Sequence, residues 1–127
     1  MKVDRLDHLV LTVRHVEVTC DFYSRVLGME VITFGGGRRA LGFGRQKINL
    51  HAVESPISPH AKCPQPGSGD LCFITSSPVG EIVSRLERNG VVIELGPVGR
   101  MGATRPIMSV YFRDPDLNLI EVAREGE

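Results

Sequence analysis

Asp7-His8-Leu9-Val10-Leu11-Thr12-Val13 and, further along, Asp70-Leu71-Cys72-Phe73-Ile74-Thr75 are the two stretches on which the fold turns. Each is a short run rich in β-branched and large apolar residues, the pattern of a strand. Each is followed by helical periodicity that a glycine closes. After the first, Val18, Phe22, Tyr23, Val26 and Leu27 recur on one face of a helix over Val16–Leu27, and Gly28 supplies a left-handed stop. After the second, Ser77 is a natural N-cap with Pro78 at the first helical position. Val79, Ile82, Val83 and Leu86 then fall at i, i+3, i+4 and i+7, and Gly90 ends the helix. Twenty residues separate His8 from Gly28 and twenty separate Asp70 from Gly90, so the two units are in register.

Three strands follow the first helix, Glu30–Phe34, 39–43 and 46–53, divided by Gly35-Gly36-Gly37 and by a tight turn at Gly44-Arg45. The pattern then breaks into Ser55-Pro56, Ser58-Pro59, Cys63-Pro64 and Gln65-Pro66-Gly67-Ser68-Gly69, which supplies turns and denies strand hydrogen bonds. Strands over 91–94, 107–113 and 118–123 complete the second unit. The stretch from Gly96 to Gly102 reads as an insertion, and Asp114-Pro115-Asp116 as the turn of the last hairpin. The expected fold is α+β in a single domain: a βαβββ module over residues 1–54, a linker over 55–69 and a second module over 70–127. Each module exposes an apolar sheet face that it cannot bury alone. The pair is therefore expected to form a partly closed mixed-sheet barrel around a cavity. A ferredoxin-like sandwich, also built from duplicated units but needing no cavity, is the alternative.

With 127 residues, 42% of them hydrophobic and 24% charged, the chain has the composition of an ordinary folded domain. Fifteen Lys and Arg balance fifteen Asp and Glu, so there is no broad basic field to hold a phosphate backbone, and nucleic acid is not an expected partner. The apolar stretches are strand-sized and no basic segment precedes a hydrophobic one at the start. Neither a membrane span nor a signal peptide is expected, and a cytoplasmic location follows. Cys20, Cys63 and Cys72 form an odd set without CxxC spacing, which argues against disulfides and a thiolate zinc knot.

Alternate residues of a strand share a face, so His8 lies with Val10 and Thr12, His51 with Asn49 and Val53, and Glu121 with Leu119 and Ala123. A His or Glu inside an apolar strand must be paired, solvated in a cavity or bound to a cation, because burying it alone costs several kcal/mol. His8 and Asp70 occupy the first strand of each unit, His51 and Glu121 the last. Pseudo-symmetry is expected to bring these four together as a metal site. Imidazole with carboxylate suits Zn, Mn, Fe, Co or Ni better than Mg or Ca.

Asp7 to Val13, Phe22-Tyr23, Leu27-Gly28-Met29-Glu30-Val31, Tyr111-Phe112-Arg113-Asp114-Pro115-Asp116 and Asn118-Leu119-Ile120-Glu121-Val122 together resemble the glyoxalase/bleomycin-resistance/dioxygenase, or vicinal oxygen chelate, superfamily. More closely, Lys47-Ile48-Asn49-Leu50-His51, Pro66-Gly67-Ser68 and Pro106-Ile107-Met108-Ser109 resemble the glyoxalase domain-containing protein 5 group and its bacterial, lactoylglutathione-lyase-like relatives. The resemblance implies paired βαβββ modules, a divalent metal in a shared cavity and a homodimer. It makes His8 the first-strand ligand and Glu121 the last-strand ligand. His51 stands where the glyoxalase I branch often has Glu. Asp70 stands where many members have His, a departure that shortens the ligand's reach and adds charge.

Ser109 and Tyr111 share strand parity, and Tyr111 precedes Glu121 by ten residues, as a substrate-contacting Tyr does in the fosfomycin-resistance branch. Both are expected to line the cavity. Arg100 and Arg105, in the insertion, are candidates for meeting an anionic substrate group. The resemblance implies a metal-dependent, lactoylglutathione-lyase-like enzyme acting on a small oxygenated or thiol-conjugated substrate, with glutathione or another thiol as partner. Glu121, or else His51, moves a proton while the metal polarises vicinal oxygens. A metal-free, bleomycin-resistance-like binding protein and a thiol transferase or dioxygenase on the same fold are the alternatives.

Overall fold

The computed structural model describes residues 1–126, so residue 127, the end of the expected second module, lies outside the described residues. The contacts divide the chain into Met1–Pro66 and Gly67–Glu127, each with its own sheet and helix.

In the first unit, β1 (His8–Val13), α1 (Val16–Leu27), β2 (Glu30–Phe34), β3 (Arg38–Phe43) and β4 (Gln46–Ala52) give a sheet in the order β1-β4-β3-β2. β1 runs parallel to β4, and the other pairs are antiparallel. The parallel pairing follows from α1, which carries the chain across and returns it in the same direction. α1 ends as the sequence predicts. Gly28 sits at φ 67, its N–H bonds to the Ser24 carbonyl, and the Met29 N–H reaches the Tyr23 carbonyl. Only a residue without Cβ takes that left-handed turn cheaply. Thr19, Cys20, Phe22, Tyr23 and Val26 bury α1, whereas Val18, expected on the same apolar face, is exposed. Leu11 and Val13 of β1, Leu41 of β3 and Ile48 and Leu50 of β4 form the sheet's side of the core. Each such side chain contributes about 1.5–3 kcal/mol by leaving water.

The second unit repeats the plan with β5 (Asp70–Ile74), α2 (Val79–Arg88), β6 (Leu95–Met101), β7 (Pro106–Arg113) and β8 (Leu119–Glu125), in the order β5-β8-β7-β6. β5 is parallel to β8, and β6-β7-β8 are antiparallel. Ile82 and Leu86 of α2 are buried, as are Val110, Phe112, Ile120 and Val122 of the sheet.

Three expectations need correction. The sheets are not closed into a barrel: each ladder is open, ending at β1 and β2 in one unit and at β5 and β6 in the other. The strand expected over 91–94 is absent, and the presumed insertion is itself the strand β6, Leu95–Met101. A Gly-Pro pair is tolerated there because β6 is an edge strand, and the ladder bulges between Leu95 and Val98. Ser77 does not cap α2. Pro78 holds that position without a side-chain bond, and the Ser77 N–H is instead taken up by the Thr75 hydroxyl.

Candidate functional site

Ladder pairs place side chains on faces. In the first sheet, Leu9, Leu11 and Val13 share the helix-covered face with Ile48 and Leu50. His8, Val10 and Thr12 therefore point the other way, next to Lys47, Asn49 and His51 on β4. β3 continues those rows with Gly42 beside Lys47 and Ala40 beside Asn49, and β2 with Glu30 and Ile32. His8 is exposed and its Nδ1 is 2.9 Å from Asp7 Oδ2. The hydrogen bond with His8, more than any other influence, holds the Asp7 carboxyl below its ordinary value. This contact leaves His8 Nε2 as the ring atom available to another partner.

His51 and Asn49 lie deeper, at 5% and 6% exposure, and neither His51 Nε2 nor Asn49 Oδ1 has a hydrogen-bond partner among the described residues. A buried polar atom left unsatisfied costs about 1–3 kcal/mol, so these two atoms fit a site that a ligand completes. Burial first, then the positive charges of Arg38 and His60, hold the His51 imidazole below its ordinary value and favour its neutral form.

In the second sheet, Asp70, Cys72 and Ile74 share the helix-free face with Leu119, Glu121 and Ala123 of β8 and with Ser109 and Tyr111 of β7. The Ser109 hydroxyl donates to Glu121 Oε2 at 2.5 Å. Arg100 Nε donates to the Tyr111 hydroxyl at 3.0 Å, and its guanidinium lies 5.6 Å from that ring's centre. Cys72 is directly opposite Glu121 on the ladder. Local burial of its sulfur, then the charge and hydrogen bond of Glu121, push its thiol up to about 11. The row Cys72, Glu121, Tyr111 thus runs across three strands, with Ser109 and Arg100 bonded into it.

Of the residues singled out from sequence, Ser109, Tyr111, Arg100 and Glu121 come together. Arg105 does not join them and makes an exposed ion pair with Glu125 at 3.8 Å, of the kind that contributes little. Asp70 is exposed at the start of β5, one same-face step from the row of Glu121. His8 and His51 are not neighbours. His8 pairs with Lys47, and His51 pairs with Thr12 at the other end of β1. Four residues of strand separate the two rows, roughly 13 Å.

If His8 and Asp70 are set equivalent, as the strand starts imply, Glu121 is answered in the first unit by Asn49 and not by His51. Asn49 and Cys72 are the residues that sequence reasoning missed. The signal for both was parity, since each shares a face with a residue already chosen.

The donors test well in kind for a divalent metal. A ligating His commonly has a carboxylate behind its other nitrogen, and a ligating carboxylate has a donor of its own. His8 has Asp7, and Glu121 has Ser109. Among the described residues, however, no three His, Cys, Asp or Glu side chains are gathered closely enough to hold an ion. No helix among the described residues is long and apolar enough to cross a membrane.

The Glyoxalase/Bleomycin resistance protein/Dioxygenase superfamily model matches residues 5–122. Virulence protein STM3117 of Salmonella typhimurium is 54% identical over 124 residues, covering 98% of this chain and 86% of that protein. Its crystal structure superposes with a TM-score of 0.98, at 53% identity over 99% of this chain and 100% of that one. Glyoxalase domain-containing protein RDO1 of Mycosarcoma maydis is 50% identical over 123 residues, 97% of this chain and 69% of that protein. A lactoylglutathione lyase from Agrobacterium tumefaciens, 23% identical with a TM-score of 0.75 over 98% of this chain and 96% of that one, shares the fold.

Proposed function

Since the chain belongs to the glyoxalase/bleomycin resistance protein/dioxygenase superfamily, we propose that it is a metal-dependent, lactoylglutathione-lyase-like enzyme acting on a small oxygenated or thiol-conjugated molecule. The observation that carries this reading is the support behind two donors, with Asp7 bonded to His8 and Ser109 bonded to Glu121. Ligating imidazoles and carboxylates are commonly backed in this way. In this reading His8, Asp70 and Glu121 are the donors that would hold the metal, and they would have to close on the ion as it binds, since among the described residues no three such side chains are already gathered.

A divalent transition metal, when bound, polarises neighbouring substrate oxygens. Glu121 moves a proton on the substrate carbon, its carboxylate held in place by the Ser109 hydroxyl. Tyr111 and Arg100, locked together by their 3.0 Å bond, orient the substrate beside it. The reading includes glutathione or a related thiol as partner and a homodimer as the assembly, the latter checked by light scattering.

The test is metal content and turnover together. The purified chain, supplied separately with zinc, nickel, manganese, cobalt and iron(II), is expected to retain about one equivalent of a metal that His8→Ala loses. Turnover of a methylglyoxal–glutathione adduct is expected to exceed that of His8→Ala. Metal retention without that turnover removes the specific lyase and leaves a transferase or dioxygenase. Failure to retain or reconstitute any metal moves the chain to the metal-free binding reading, which the exposed Asp70 in a ligand position favours.

A further inference from the structure

The helix-free face of the first sheet carries a second set of groups that metal binding does not use. Lys47 and Arg38 both lean on the Phe34 ring, with the Lys47 ammonium 4.1 Å and the Arg38 guanidinium 4.9 Å from its centre. Among the described residues neither has an ion-pair partner. Beside them, Asn49 and His51 are more than nine-tenths buried, and Asn49 Oδ1 and His51 Nε2 have no hydrogen-bond partner among the described residues. Asn49 and His51 are two residues apart on β4 and so share that face, roughly 7 Å from one another along the strand. Arg38 adjoins the Arg39–Leu50 ladder pair and is close enough for its charge to act on His51. The third orphaned atom, Arg39 Nε, belongs to the opposite, helix-facing side, where Arg39 pairs with Glu17.

Two unpaired cations beside two buried groups lacking partners describe a subsite for a particular ligand chemistry. The cations need an oxyanion, and a carboxylate or a phosphate meets that need through the guanidinium fork. Asn49 Oδ1 needs a donor, which a hydroxyl next to the oxyanion supplies, and the neutral His51 imidazole can give or take a further hydrogen bond. We infer that Arg38, Lys47, Asn49 and His51 form a binding subsite for the oxyanion and adjacent hydroxyl of a small ligand. His51 is then a ligand-binding residue and not a metal ligand. The subsite extends the proposed function by naming what one end of the substrate carries, but it requires no metal, so the two ideas fail separately.

Titration of the isotopically labelled full chain, followed by amide and histidine-ring NMR in the presence of EDTA, tests it with glycolate, acetate and inorganic phosphate as probes. Glycolate is expected to shift the His51 ring resonances and to bind at least tenfold more tightly than acetate, which lacks the hydroxyl. Arg38→Gln is expected to weaken glycolate at least tenfold, and Asn49→Leu to abolish the advantage of glycolate over acetate. His8→Ala is expected to change neither. Lys47→Gln, at a half-buried position, gives a second reading of the cation requirement, and amide dispersion reports that each variant is folded. Phosphate binding above glycolate with the same Arg38 dependence identifies the oxyanion as a phosphate and supports the subsite. Equal affinities in wild type and both cation variants overturn it. So does binding that appears only when metal is restored and that His8→Ala removes, a result that leaves the proposed function standing.

Discussion

Ser109 is fully buried, and a lone hydroxyl in such a place exists for the bond it makes, here to Glu121. Its removal is therefore expected to act on Glu121 more than on the fold. Ser109→Ala should lower metal affinity about ten- to hundredfold, the usual effect of losing a group behind a ligand, while costing stability only about 1 kcal/mol. Metal titration and urea unfolding of the same sample separate the two effects. Asp114 makes the opposite case. It is buried, and its carboxylate accepts from the Asp116 N–H, the Asn118 N–H and the Asn118 amide, which ties the turn before β8. Asp114→Ala should cost about 2–4 kcal/mol in urea unfolding, since several buried donors lose their acceptor together. The sequence carried part of this. Parity placed Ser109 with Tyr111, and the acidic turn was legible as a turn. The separation of His51 from His8 was not legible, because residue type and strand number say nothing about how far along a parallel ladder two strands are offset.

β6 shows what element-scale reading can and cannot extract. The apolar residues of 91–94 suggested a strand and the glycines of 96–102 a loop, yet the ladder forms at Leu95–Met101. An edge strand needs hydrogen bonds on one side only, so Pro97 and a bulge are admissible, and local propensity loses to pairing with β7. The glycines in this strand are not equivalent. A Cβ on Gly96, at φ 109, would sit 2.4 Å from the Ser109 carbonyl oxygen, whereas one on Gly99 would meet nothing within 4 Å. Gly96→Ala should cost about 2–4 kcal/mol and disturb the Ser109 backbone, while Gly99→Ala should stay within about 1 kcal/mol of wild type. Thermal unfolding of the pair measures the contrast.

The same region gives a pH signature. Arg113 forks onto Glu94 at 2.8 and 3.1 Å, and that bond chiefly holds the Glu94 carboxyl below its ordinary 4.5. A depressed carboxyl stabilises the fold above its unfolded value and loses that contribution as pH falls through the folded one. Glu94→Gln should therefore lower neutral stability slightly, as expected of an exposed pair, and converge with the wild type at low pH, which flattens the part of the acid limb below about pH 4.5.

At the scale of the molecule, the duplication was the most legible feature. The twenty-residue spacing from His8 to Gly28 and from Asp70 to Gly90 announced two units of one plan, and two sheets of matching strand order follow from it. The expected barrel was not, because closure depends on edge pairing and apolar patterning inside strands does not encode it. Nor could the pattern decide whether His8 and Glu121 act on one ion, and here stability offers a readout independent of catalysis. A metal that binds only the folded chain stabilises it by about 2.7 kcal/mol at a hundred times its dissociation constant. For 127 residues, with unfolding entropy near 2 cal/mol/K per residue, that corresponds to a rise in melting temperature of roughly 10 °C. The wild type should show this rise on adding the retained metal and lose it in EDTA. His8→Ala, whose side chain is exposed and absent from the core, should match the EDTA-treated wild type and show no rise. Glu121→Gln should behave as His8→Ala does. If either variant kept the full metal-dependent shift, that residue would not hold the ion, whatever its effect on turnover.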